Sequence, residues 1–234
     1  MTDDFQRYLR AKRTVDDRAL DRRLLARVSD ALEDRAGSDG RLSVLEVGAG
    51  IGTMITRFIE RDILPAADIQ YTAVDVQQSN LDTLPGYLRT WADGRPETVE
   101  SGAGTVTLSG SERTVTVVPV VADAAEYIRQ DAGGYDLLVG AALLDIIDGV
   151  ALPSLLAALD AGGAYYFPLT FDGTSVFEPA HAADRAVERA YHDAIDETAG
   201  RASRAGRRLA THLRRAPGEL VAMDASDGIV RPHG

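Results

Sequence analysis

The chain has 234 residues, a formal net charge of −11, 45% hydrophobic and 26% charged residues, and no cysteine. The missing cysteine excludes a disulfide framework, thiolate metal sites and a cysteine nucleophile. The acidic balance disfavours a surface for nucleic-acid backbones, which need clustered cations, and no apolar run reaches the roughly 18 to 20 residues that span a bilayer.

In chain order, apolar residues from Phe5 to Leu32 recur at helical spacing, with a polar stretch at Ala11–Arg18 expected to interrupt the helix. Turn formers at Ala36–Gly40 precede a short apolar run, Leu42–Val47, and then the loop Gly48-Ala49-Gly50-Ile51-Gly52. Thr53–Arg61 reads as a helix and Ile69–Val76 as a second strand. Pro85 is expected to break Asn80–Trp91 into pieces. Thr105–Leu108 and Thr114–Val121 alternate with the period of a half-buried strand and form a hairpin around Ser109-Gly110-Ser111. Tyr135–Ala141 reads as a buried strand, Val150–Leu159 as a helix stopped by Ala161-Gly162-Gly163, and Ala164–Thr170 as the next strand. Helices over Ala180–Glu197 and Arg201–Arg214 follow, then strand-like pieces at Glu219–Met223 and Ile229–Arg231. Strands alternating with helices imply an α/β fold, a mostly parallel sheet with helices on both faces. One domain is expected, with a helical cap over 1–38, a core over 39–170, and an insertion with last strands over 171–234. Ligands in such folds bind at the carboxyl ends of the strands.

The glycine loop carries the most information. Glycines after a first strand permit a sharp turn and close approach of a ligand. A dinucleotide fingerprint, G-x-G-x-x-G/A, is not met, because the third position from Gly48 falls on Thr53. Glu46, two residues before the first glycine, would sit beside the ligand, repelling a pyrophosphate and attracting a cation.

Glu46-Val47-Gly48-Ala49-Gly50-Ile51-Gly52 resembles the first motif of the class I S-adenosylmethionine-dependent methyltransferases. Tyr71-Thr72-Ala73-Val74-Asp75, Val120-Val121-Ala122-Asp123-Ala124 and Tyr135-Asp136-Leu137-Leu138-Val139-Gly140 resemble its later strand ends, and Leu159–Gly163 its turn before strand five. The resemblance covers roughly residues 40–170. It implies a Rossmann-like fold, S-adenosyl-L-methionine as cofactor, and cofactor contacts from Glu46, Gly48, Ala49, Gly50, Gly52, Asp75, Val76, Asp123, Ala124 and Gly140. Asp75 would hold the ribose hydroxyls and Asp123 the adenine amino group. Plainer readings stand beside these: Glu46 as a solvated strand-end carboxylate, Asp75 as a helix cap and Asp123 as the start of a capping box. Asp136 reads as structural. The family's usual last two strands would here be short, leaving a curtailed C-terminal edge in which Ile229–Arg231 pairs.

Methyl transfer from a sulfonium needs positioning more than acid–base groups. The expected reaction is methyl transfer to a small-molecule acceptor. The rivals are a non-catalytic S-adenosylmethionine- or S-adenosylhomocysteine-binding protein and an NAD-dependent oxidoreductase. After the fourth motif comes an apolar lip with one acid, Gly140–Asp145, and no Asn/Asp-Pro-Pro-Tyr-like tetrapeptide. Tyr8–Arg18 is a candidate lid, and His181 and His192 are candidate bases in the segment after strand five. No metal ligand set is expected. The N-terminus lacks a secretory h-region, so a cytoplasmic location is expected. Lys12 is the sole lysine, and an acidic, lysine-poor surface suits a high-salt cytoplasm or a GC-rich genome. Oligomeric state is not legible.

Overall fold

In the computed structural model, which describes residues 2–37, 40–130, 133–145, 147 and 149–226, the polar stretch near the N-terminus does not interrupt the first helix. That helix, α1, runs over Thr2–Ala19. Its polar middle is laced by Lys12–Asp16 and Arg13–Asp17 pairs one turn apart, which support a helix. The break falls at Leu20 instead, and Asp21 caps α2 (Arg22–Ala36) by accepting from the backbone N–H groups of Arg23 and Leu24.

Seven strands form one sheet in the order β3-β4-β5-β2-β1-β6-β7. Their ranges are β1 Arg41–Val47, β2 Asp68–Asp75, β3 Thr98–Gly102, β4 Thr105–Ser109, β5 Thr114–Val121, β6 Tyr135–Val139 and β7 Leu159–Tyr166. The pairs β1–β2, β1–β6, β2–β5 and β6–β7 are parallel, whereas β3–β4 and β4–β5 are antiparallel. The fold is therefore α/β with a mostly parallel sheet. The chain moves outward from β1 through β2 to β5, then returns to the other side of β1 with β6. The switch point lies between β1 and β6, where ligands bind in open sheets of this kind.

Alternate residues of β1 feed two cores. Leu42 and Val44 join Leu25 and Leu32 of α2, Met54, Ile55 and Phe58 of α3 (Thr53–Glu60), and Leu81, Leu84 and Leu88 of α4 (Gln78–Ala92). Leu45 and Val47 join Ile128 of α5 (Ala124–Gln130), Leu152 and Leu155 of α6 (Leu152–Leu156) and Leu209 of α8 (Ala205–Leu213). The remaining helix, α7, spans Asp184–Asp196 and is mostly exposed.

Several expectations are corrected. Pro85 sits inside a continuous α4, because its apolar stripe, Leu81, Leu84, Leu88 and Trp91, is buried; that burial outweighs the roughly 3 kcal/mol penalty of an interior proline. The expected helix over Val150–Leu159 is a 3-10 turn, Gly149–Ala151, followed by the short α6. Ala161-Gly162-Gly163 is not a turn before a strand but lies inside β7, at an irregularity where pairing with β6 shifts register. A Cβ at Gly163 would stand 2.8 Å from the Tyr135 carbonyl oxygen, so only glycine lets the strands approach there. Glu219–Met223 is not a strand; it runs as coil, fastened where the Tyr165 hydroxyl donates to the Glu219 carbonyl at 3.2 Å. Ile229–Arg231 lies outside the described residues.

Candidate functional site

The loop after β1 needs left-handed backbone at three positions, with φ of +71° at Gly48, +58° at Gly50 and +87° at Gly52. Glycine adopts that region without a Cβ penalty. The loop's amides turn inward. Gly48 and Ala49 donate to the Val74 carbonyl at 2.8 and 3.0 Å, and Gly52 donates to the Ala49 carbonyl at 3.0 Å. The Gly50 amide donates to Asp75 Oδ2 at 2.8 Å, tying the first loop to the end of β2.

Asp75 is buried, and its other oxygen accepts from the Gln77 backbone N–H at 2.8 Å and from Asn80 Nδ2 at 3.3 Å. Asn80, in the first turn of α4, is also buried, and its Oδ1 has no hydrogen-bond partner among the described residues. An orphaned acceptor beside an oriented carboxylate calls for a donor. Sequence reasoning missed Asn80; its signal was a polar side chain one helical turn beyond the strand-end acid. Next to this pair, Val76 and Val121 leave apolar side chains exposed at the ends of the adjacent strands β2 and β5. Asp123 is exposed, and its Oδ1 accepts from the Glu126 backbone N–H at 3.0 Å, so it opens α5 as a cap. Ala124 is the first residue of that helix.

Glu46 is internal. It is 1% exposed, on the same side of β1 as Leu42 and Val44, and its Oε2 accepts from the Tyr71 hydroxyl at 2.8 Å. Burial pushes its carboxyl up to about 8, against the opposing effects of the Tyr71 bond and the Arg57 charge. The plainer expectation of a solvated strand-end carboxylate is thereby corrected, and so is that of an open charge beside the ligand: the group is internal, and burial disfavours its charged form.

The glycine loop is covered by two leucines. A Cβ on Gly50 would meet Leu9 Cδ1 of α1 at 3.5 Å, and one on Gly48 would meet Leu143 at 3.3 Å. Leu143 belongs to the turn after β6, in which Ala142 takes a φ of +53°. Gly140 opens this turn, its N–H donating to the Tyr166 carbonyl at 3.2 Å and its Cα facing the Phe167 ring. The turn ends at Asp145, which is buried and accepts from Thr170 through both the backbone N–H, at 3.2 Å, and the hydroxyl, at 3.0 Å. Asp136 lies at the opposite end of β6, where Arg35 and the Ser43 backbone N–H bind it.

The two candidate bases differ. His181 is exposed, and its Nδ1 accepts from the Ala183 backbone N–H at 3.1 Å in the turn before α7. His192 is packed against Phe171, with ring centroids 5.8 Å apart, and its Nδ1 is buried without a partner among the described residues. No group of three or more potential metal ligands occurs among the described residues. Among the same residues no helix is long and apolar enough to cross a membrane.

No protein-family model matches the chain, and no curated protein matches it in sequence. Methyltransferases are among the solved structures it resembles. One, a Nostoc punctiforme protein assigned as an O-methyltransferase, shares 16% identity at a TM-score of 0.45, over 80% of this chain and 49% of that one. A methyltransferase of Podospora anserina bound to S-adenosylhomocysteine shares 14% identity at a TM-score of 0.45, over 86% of this chain and 73% of that one. A Geobacter sulfurreducens methyltransferase, also bound to S-adenosyl-L-homocysteine, shares 14% identity at 0.39, over 63% of this chain and 48% of that one. The chain thus spans about half the length of the first and third.

Proposed function

We propose that this chain binds S-adenosylmethionine across the carboxyl ends of β1, β2 and β5 and transfers its methyl group to a small acceptor. The observation that carries the reading is the 2.8 Å bond from the Gly50 amide to Asp75 Oδ2. It aligns a strand-end carboxylate with a glycine cradle, beside the orphaned Asn80 Oδ1. The residues present fit the cofactor. Asp75 and Asn80 offer acceptors for ribose hydroxyls, Val76 and Val121 offer apolar surface for a purine, and the glycine loop admits a ligand against bare backbone. Asp123 stands at the edge of that surface for the adenine amino group. The bound cofactor supplies an electrophilic methyl group on a sulfonium; the protein's part is to orient the acceptor and exclude water.

The inward-turned amides of Gly48, Ala49, Gly50 and Gly52 weigh against a dinucleotide. A pyrophosphate-binding loop directs such donors at the phosphate. This argument replaces the one from the charge of Glu46. Calorimetric titration with S-adenosylmethionine, S-adenosylhomocysteine and NAD tests the reading. Saturable binding of the first two, with none of NAD, is expected; NAD binding alone overturns it. Cofactor binding without methyl transfer across a broad acceptor screen would leave the non-catalytic alternative.

A further inference from the structure

One buried polar atom at the close of the turn after β6 lies outside the cofactor-binding residues. Asp145 is 3% exposed, and Thr170 fixes its Oδ2 with two hydrogen bonds, while Oδ1 is buried and has no partner among the described residues. An unsatisfied carboxylate oxygen inside a protein is costly and rare. Aromatic residues stand on the segments that meet at Asp145. Phe171, next to Thr170, meets Tyr191 edge-on at 5.3 Å between centroids. Tyr8 of α1, about half exposed, lies on the same side: burial first, then the charges of Asp16, Tyr191 and Asp145, raise its phenol above the ordinary value. Gly206 of α8 allows this closure: a Cβ there would stand 2.4 Å from the Phe171 carbonyl oxygen and 3.4 Å from Asp145 Cα. Two residues before Asp145, Leu143 rests on Gly48 of the cofactor loop. The acid therefore stands one short turn from the place where a transferred methyl group would be delivered.

We propose that Asp145 is the acceptor-binding base of this site, and that the acceptor is a phenol: an aromatic ring held among Phe171, Tyr191 and Tyr8, with its hydroxyl donating to Oδ1. The inference rests on the methyl-transfer reading. The phenol oxygen bonds to the methyl carbon as the carbon–sulfur bond breaks. The electron pair of that bond stays on sulfur, leaving a neutral thioether, and the phenol proton passes to Asp145 Oδ1. The two bonds from Thr170 hold the carboxylate in one orientation and leave Oδ1 as the oxygen with acceptor capacity for the phenol hydroxyl once the ring enters beside it.

The test is a ligand-observed NMR titration of the full chain saturated with S-adenosylhomocysteine. The probes are a panel of mono- and bicyclic phenols and the matched arenes lacking the hydroxyl. The phenols are expected to bind at least tenfold more tightly than the arenes. Asp145→Asn should remove that preference without changing the affinity for S-adenosylhomocysteine, and Thr170→Val should reduce it. With S-adenosylmethionine, Asp145→Asn should slow transfer to the best phenol by about 10²- to 10⁴-fold, and Asp145→Glu should recover part of the rate. Equal binding of phenols and arenes, or a preference retained in Asp145→Asn, overturns the proposal. Failure of S-adenosylhomocysteine to bind overturns the methyl-transfer reading instead; the phenol titration on the free protein then still decides the role of Asp145.

Discussion

Arg57 of α3 donates through Nε to Asp17 Oδ1 of α1 at 2.6 Å, and its guanidinium is almost wholly buried beneath that helix. The same side chain reaches Asp16, the Arg13 carbonyl and Met54 Sδ, while Arg13 pairs with Glu60 and Arg61 with the Asp17 carbonyl. These charges hold α1 across α3 and so keep Leu9 over Gly50. Charge-assisted bonds of this sort contribute about 1.5–3 kcal/mol each, less where one partner is partly exposed. Asp17→Asn is therefore expected to cost about 1 kcal/mol in urea unfolding. It should also speed S-adenosylhomocysteine release in stopped-flow fluorescence. Unchanged release would mean that α1 does not cover the ligand.

Glu46 gives a pH signature. Burial pushes its carboxyl up to about 8 in the folded protein, against the ordinary glutamate value, about 4.3, when unfolded. Between those values the folded state holds a proton that the unfolded state has lost, so stability falls as pH rises. Glu46→Gln keeps an acceptor for the Tyr71 hydroxyl and removes the titration. The wild-type chain should lose about 1–4 kcal/mol of stability between pH 5 and pH 8 relative to Glu46→Gln. Parallel profiles for the two proteins would show that Glu46 is charged in the fold.

Cofactor affinity should depend on the carboxylate that joins the two strand ends. Asp75→Ala removes the acceptor of the Gly50, Gln77 and Asn80 donors and should weaken S-adenosylmethionine binding tenfold or more. Gly50→Val places a branched side chain at a φ of +58° and against Leu9. It should abolish binding while circular dichroism reports an intact fold. Calorimetry showing wild-type affinity in either variant would contradict the assignment.

Salt separates the two explanations for the acidic surface. A net charge of −11 with one lysine predicts mutual repulsion that screening relieves. If the surface is a high-salt adaptation, the melting temperature should climb steeply from low to molar KCl. A flat profile would point to genome composition.

The glycine loop was legible because its turn demands positive φ at Gly48, Gly50 and Gly52, and few residues other than glycine accept that. Asp75 was legible from its place at the end of an apolar run. The inward direction of Glu46 was also available, since strand alternation puts it with Leu42 and Val44, but the motif drew attention to its charge. β3 was not legible: Thr98–Gly102 is polar and mostly exposed, and only its pairing with β4 defines it. α1 escaped for a related reason. Its polar middle is completed by Arg57, forty residues or more further on, a partner no local pattern reveals.

The position of β1 has a consequence for how the molecule assembles. On one side, β1 pairs with β2, its next neighbour in the chain. On the other it pairs with β6, joining Val44 to Leu137 and Glu46 to Val139 across the whole intervening half of the sheet. Closing so long a stretch of chain carries a larger entropic penalty, and distant pairings slow folding. The β1–β2–β5 portion can therefore organise before β6 arrives. Leu143 reaches Gly48, and Thr170 reaches Asp145, only after that arrival. Acceptor binding here would thus report completion of the fold, and a nascent chain halted before β6 would present the glycine loop with no acceptor wall beside it.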